Sequence, residues 1–167
     1  MKPAPRLLVV AGLHGCGKST LLRSLPQDGR LVIDDIMRDA AGDEPRFACC
    51  RHRAAIFAAL DEGRPLVLAD SLFCDPGFRA GFLEALAGRI GPEEVEWVWF
   101  EPHVGKCAAN IRHRARVRGW ERPDIPLDSN RRLAEVFSAT EGARPRAVHR
   151  AAGWVRRLAA LTGLGRA

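Results

Sequence analysis

The chain has 167 residues, 47% hydrophobic and 28% charged, proportions of a soluble globular domain rather than a disordered or membrane-spanning chain. No apolar stretch approaches the roughly 18 residues that a bilayer span requires. The net charge of +6 suits a phosphate-rich ligand, nucleotide or nucleic acid, or else a solvated, arginine-rich surface, the plainer reading of the C-terminal tail.

That charge is unevenly placed. No acidic residue follows Glu141, whereas Arg144, Arg146, Arg150, Arg156, Arg157 and Arg166 do. A second basic block runs from Lys106 through Arg112, Arg114, Arg116 and Arg118. The five cysteines (Cys16, Cys49, Cys50, Cys74, Cys107) are irregularly spaced and form no C-x-x-C pair. Reduced thiols in a cytoplasmic protein are therefore expected. The short apolar run Leu7–Ala11 flows into a glycine loop, which argues against its being a signal peptide.

Taken in chain order, Leu7–Ala11 reads as a buried parallel strand, nearly continuous in Leu and Val. Next comes Gly12-Leu13-His14-Gly15-Cys16-Gly17-Lys18-Ser19, which fits G-x-x-x-x-G-K-[ST] without a departure. A helix is expected to open directly from it over Lys18–Ser24. Strand, glycine loop and helix together are the context that this motif requires. The glycines let backbone N–H groups wrap closely around phosphates. Lys18 would reach the β- and γ-phosphates, and the Ser19 hydroxyl would ligate Mg²⁺. The expected nucleotide contacts run from Gly12 through Leu13, His14, Gly15, Cys16, Gly17, Lys18 and Ser19 to Thr20. Within them, the side chains of His14 and Cys16 read as bystanders.

A second strand, Leu31–Ile33, leads into Asp34-Asp35-Ile36-Met37-Arg38. Ligands of open α/β sheets sit beyond the carboxyl ends of the strands. A carboxylate there can take a proton from an attacking hydroxyl, and Arg38 can hold an anionic acceptor. Either Asp could instead cap the next helix, and both roles can coexist. The periodicity of Phe47, Cys50, Ala54, Phe57 and Leu60 predicts one helix over Arg46–Glu62, stopped by Gly63 and Pro65.

The third strand, Leu66–Ala69, ends in Asp70-Ser71, the shape of a Walker B element whose carboxylate helps to hold Mg²⁺. A turn-forming role is the plainer reading of that pair. Asp75 reads as the N-cap of a helix over Pro76–Gly88. A fourth strand, Val95–Phe100, precedes a helix over Val104–Arg118. On that helix Arg112 and Arg116 share one face, and Arg114 and Arg118 another. Like charges so spaced need a counter-charge, which a triphosphate under transfer would supply. With Gly119 and Pro123 behind it, the stretch at about 104–126 reads as a lid. Further helices are expected at Ser129–Thr140 and Ala147–Leu161, within a basic C-terminal region, 127–167. Strand alternating with helix implies one open parallel α/β domain.

The glycine loop, the Asp-Asp-x-x-Arg element, the Leu-Ala-Asp-Ser strand end and the arginine segment resemble, in that order, the small P-loop kinases. The resemblance is to the zeta-toxin-like and polynucleotide-kinase-like ATP-binding branch and covers about Leu7 to Pro123. It implies a P-loop NTPase fold with strand order 2-3-1-4, ATP and Mg²⁺ as cofactors, and a hydroxyl-bearing acceptor. In polynucleotide kinases an Asp followed three residues later by Arg supplies the catalytic base and a phosphate-holding group, a spacing met by Asp35 and Arg38 and not by Asp34. The lid arginines carry over to Arg112 and Arg116. These kinases usually have a fifth strand whose following loop cradles the adenine, and no Val- and Ile-rich strand follows Arg144.

The activity so implied is transfer of the γ-phosphoryl group of ATP to a hydroxyl. A small-molecule acceptor is slightly favoured, and a polynucleotide 5′-hydroxyl is the alternative. A nucleotide-gated switch and a nucleic-acid-binding module are the rivals from other classes. Against the switch, there is no Asn-Lys-x-Asp motif, and the sole Gln is Gln27.

Overall fold

A computed structural model describes residues 5–26, 28–38, 40, 46–140 and 143–149. Four strands form one parallel sheet in the order β2-β3-β1-β4. They are β1 (Leu7–Ala11), β2 (Leu31–Asp34), β3 (Leu66–Asp70) and β4 (Val95–Trp99). Both expectations, the sheet and its strand order, are met. Register is set centrally, where Val9 of β1 lies level with Leu68 of β3 and Trp97 of β4.

Alternation along the strands divides the core into two layers. Leu7, Val9, Ala11, Ile33, Leu66, Leu68 and Trp99 point to one face, covered by α2 (Arg53–Asp61) and α3 (Pro76–Leu86). Val10, Val67 and Ala69 point to the other, where Leu22 of α1 (Lys18–Ser24), Cys107 of α4 (Val104–Arg118) and Leu133 of α5 (Asp124–Val136) meet them. Both faces of β3 are covered, and all five of its residues are buried. This explains its unbroken apolar run. Asp75 caps α3 as expected, accepting from the N–H groups of Gly77 at 2.7 Å and Phe78 at 3.3 Å.

Several expected boundaries move. The single helix over Arg46–Glu62 is instead a 3₁₀ turn at Phe47–Cys49 followed by α2, because Cys50 is extended (φ −65°, ψ 120°). Tertiary packing prevails over helical rhythm there. The Phe47 ring meets Phe82 edge-on at 5.0 Å, while Cys50 Sγ donates to the Ile36 carbonyl at 3.0 Å. The helix expected at Ser129–Thr140 begins five residues earlier, at Asp124, and ends at Val136. Pro126 lies in its first turn, where the missing N–H costs nothing. Residues 147–149 are not helical, and the rest of the helix expected over Ala147–Leu161 lies outside the described residues. No helix among the described residues is long and apolar enough to cross a membrane.

Where a fifth strand was absent from the sequence pattern, one parallel rung joins Arg146 to Phe100. The Arg146 N–H donates to the Trp99 carbonyl at 2.6 Å, and the Glu101 N–H donates to the Arg146 carbonyl at 2.9 Å. A single residue thus extends the sheet beyond β4 and brings 147–149 beside the glycine loop.

Candidate functional site

The loop between β1 and α1 takes a shape that its glycines permit. Gly15 and Gly17 have φ of +79° and +117°, values that side-chain-bearing residues rarely adopt. A Cβ on Gly15 would also lie 2.8 Å from the Cys107 carbonyl. Lys18 Nζ donates to the carbonyls of Gly12 at 2.6 Å and Leu13 at 3.2 Å. An ammonium has three donors, so one remains for a phosphate oxygen. Leu13 and Cys16 turn into the core. Burial pushes the thiols of Cys74 and Cys107, in the same core cluster, up to about 12, so neither is a nucleophile at neutral pH.

Beside the loop is a narrow cavity of about 70 Å³ lined by His14, Gly15, Gly17, Lys18, Ser19, Asp34, Asp35, Asp70, Ser71 and Arg114. Its carboxylates come from the ends of β2 and β3, where the chain wraps from one strand over the other. Asp35 N–H donates to the Ala69 carbonyl at 2.8 Å, and Met37 N–H donates to Asp70 Oδ2 at 3.0 Å. Asp35 has φ of +62°, and no other non-glycine among the described residues is left-handed. Asp tolerates that conformation better than most residues. Arg38 is exposed and contacts Asp35 Oδ2 at 3.4 Å, outside the cavity wall.

Asp70 is 2% exposed, and its second oxygen accepts from the Leu72 N–H at 2.9 Å. Burial first, and then the nearby charge of Asp35, raise its pKa to about 6, against the pull of Lys18 and of its two backbone donors. A cation in the cavity would relieve both penalties. Ser19 and Asp70 face the same space, and no group of three or more His, Cys, Asp or Glu side chains placed to hold a metal ion occurs among the described residues. Two protein ligands completed by water and phosphate oxygens suit Mg²⁺. The arrangement therefore fits a nucleotide-bound Mg²⁺ better than a metal held by protein alone.

The His14 side chain, which reads in sequence as a bystander, lines the same cavity. Its Nε2 lies 2.9 Å from Ser71 Oγ. Burial, then Lys18, and more weakly Arg114, lower its pKa to about 4 against the opposing field of Asp35. The ring is neutral at pH 7.

Of the α4 arginines, Arg114 reaches the cavity, whereas Arg112 and Arg116 do not line it. The reason is helical phase. Asn110, Cys107 and Ile111 of α4 meet Gly15 of the loop, and at 100° per residue Arg114 falls between Asn110 and Cys107 while Arg112 and Arg116 lie about 160° round the helix from it. Sequence spacing paired Arg112 with Arg116 and Arg114 with Arg118 equally well. The contacts of Asn110 and Cys107 with Gly15 distinguish them.

A larger cavity of about 790 Å³ continues from the loop on the far side of Arg114. Gly15, Gly17, Thr20, Phe100, Asn110, His113, Arg146, Ala147 and His149 help to line it. Thr20 faces this space, and so does the segment that follows the Arg146 rung. That segment was not legible in the sequence because one β-bridge has no periodicity.

The family described as an AAA domain matches residues 7–140, from the start of β1 to beyond the end of α5. No curated protein matches. Among solved structures, the gluconokinase from Sinorhizobium meliloti 1021 is similar over 99% of this chain and 99% of its own, with a TM-score of 0.57 and 20% sequence identity. The chain belongs to the AAA-domain family and has the fold of the small P-loop kinases.

Proposed function

We propose that the protein is a Mg²⁺-dependent phosphotransferase that moves the γ-phosphoryl group of ATP to the hydroxyl of a small molecule. The observation that carries this reading is the convergence of Lys18, Ser19, Asp35, Asp70 and Arg114 on one cavity beside the glycine loop. Asp35 takes the proton of the acceptor hydroxyl as its oxygen attacks the γ-phosphorus, and the bond from that phosphorus to the β–γ bridging oxygen breaks to release ADP. Lys18 and Arg114 stabilise the charge that spreads over the moving group. Ser19 and Asp70 would hold Mg²⁺, which neutralises phosphate charge. Arg38, exposed beside Asp35, would anchor an anionic part of the acceptor.

Two features support a small acceptor over a nucleic-acid end. One is the likeness to a protein titled gluconokinase. The other is that Trp97 and Trp99 stack on each other at 5.4 Å against the core, leaving Trp120 as the exposed aromatic among the described residues. No strip for stacking successive bases results among the described residues. The test is a labelled-ATP transfer screen against sugars and sugar acids, nucleosides, aminoglycosides and oligonucleotides, with mass detection of products. Label in a small-molecule product is the expected result. Acceptor-independent hydrolysis, or label only in oligonucleotides, would overturn the proposal.

A further inference from the structure

Asn130, on α5, is completely buried and lies 116 residues from the peptide group it serves. Its Oδ1 accepts from the His14 N–H at 2.8 Å, and its Nδ2 donates to the His14 carbonyl at 2.9 Å. The next carbonyl, that of Gly15, accepts from Asn110 Nδ2 of α4 at 2.9 Å, and the same nitrogen reaches the His149 carbonyl at 2.8 Å. Three backbone polar groups of the loop's apex, on two consecutive residues, are thus tied to the two helices behind it. Burying an amide is costly unless it is fully bonded, and apolar Leu133 packs α5 one turn further on. An amide at 130 is therefore poorly explained by packing alone.

The pairing has two consequences for the site. The His14 N–H is occupied by α5, so the phosphate donors of the loop lie C-terminal to it. The ring of His14 is also aimed at Ser71, the neighbour of Asp70. We propose that Asn130 is a positioning residue of the phosphate site. It holds the His14–Gly15 apex in the shape that receives a nucleoside polyphosphate, and Asn110 joins that apex to the base-side segment at His149. The inference rests on the nucleotide-binding reading and not on any acceptor.

The test compares Asn130→Ala, Asn130→Asp, Asn110→Ala and, as a packing control on the same helix, Leu133→Ala. A fluorescent ATP analogue is titrated with Mg²⁺ at a temperature where circular dichroism shows each protein folded, and melting is followed with and without MgATP. Asn130→Asp keeps an acceptor for the His14 N–H and loses the donor to its carbonyl. All three Asn variants are expected to bind nucleotide about tenfold more weakly or worse, while Leu133→Ala lowers the melting temperature and leaves Kd within about twofold. Should Asn130→Ala fail to fold, Asn130→Asp and Asn110→Ala carry the same comparison. Wild-type affinity in the folded Asn variants, or an equal loss in Leu133→Ala, would overturn this assignment alone. A wild-type protein that binds no nucleoside triphosphate would overturn the nucleotide reading and this assignment with it.

Discussion

Replacing Asp70 by Asn separates the stability of the site from its use. The Asp70 pKa stands at about 6 against an ordinary 3.8, so the folded protein binds this proton more tightly than the unfolded chain. Stability from Asp70 is fully present below pH 3.8 and is lost as pH rises through about 6. The displacement corresponds to roughly 3 kcal/mol. His14 acts in the opposite sense. Its pKa falls from 6.5 to about 4, so its neutral form in the fold contributes stability that is lost as pH drops through that window. In the wild type the two slopes largely cancel between pH 4 and 6. Asn at position 70 removes the first and keeps the second. It also turns one acceptor into an amide NH₂ facing the N–H of Met37 or Leu72, a pH-independent cost of about 1–3 kcal/mol. The variant is therefore expected to be clearly less stable than the wild type near pH 4.5 and to recover about 2 kcal/mol relative to it by about pH 7.5. Urea unfolding at both pH values measures this, and Mg²⁺-dependent activity should fall although stability at the higher pH does not. Parallel stability profiles for the two proteins would refute the account of Asp70 as a buried, charge-penalised metal-side carboxylate.

Asp35→Asn should lower the turnover rate by about 10²–10⁴-fold with little change in ATP affinity, whereas Asp34→Asn, also on the cavity wall, should do less. Steady-state kinetics and calorimetry distinguish these, and a crippling Asp34→Asn would move the base by one residue. Arg114→Ala should reduce turnover by about tenfold or more through lost transition-state stabilisation. Arg112→Ala and Arg116→Ala should change it little, because both side chains project away from the cavity; the reverse order would restore the assignment implied by family spacing.

What the sequence makes legible follows from how far each signal reaches along the chain. The apolar strands Leu7–Ala11 and Leu66–Asp70 are buried on both faces, so their composition alone marks them. The glycine loop is recognisable because a left-handed backbone at Gly15 and Gly17 requires a particular residue. Asp34, Asp35 and Asp70 were placed at strand ends by topology, and the structure brings them to one cavity. Features created by distant partners were not legible. Asn130 and Asn110 are ordinary helix residues until His14 and Gly15 are laid against them. The break at Cys50 depends on Phe82 and Ile36, and the Arg146 rung depends on one hydrogen-bonded pair beside β4. Arg114 could not be told from Arg112 by the apolar positions of α4, since both lie equally far from the side that Ile111 and Ala115 define; its place depends on the contacts of Asn110 and Cys107 with the distant Gly15.

Calorimetric titration of MgATP into the wild type and into Lys18→Ala tests most directly the claim that the loop between β1 and α1 holds the phosphates of a nucleotide. The wild type should bind at a single site. Lys18→Ala should remain folded and bind about 10- to 150-fold more weakly, the range for losing one charged hydrogen bond. Equal affinity in a folded Lys18→Ala protein, or no binding by the wild type, would contradict the claim.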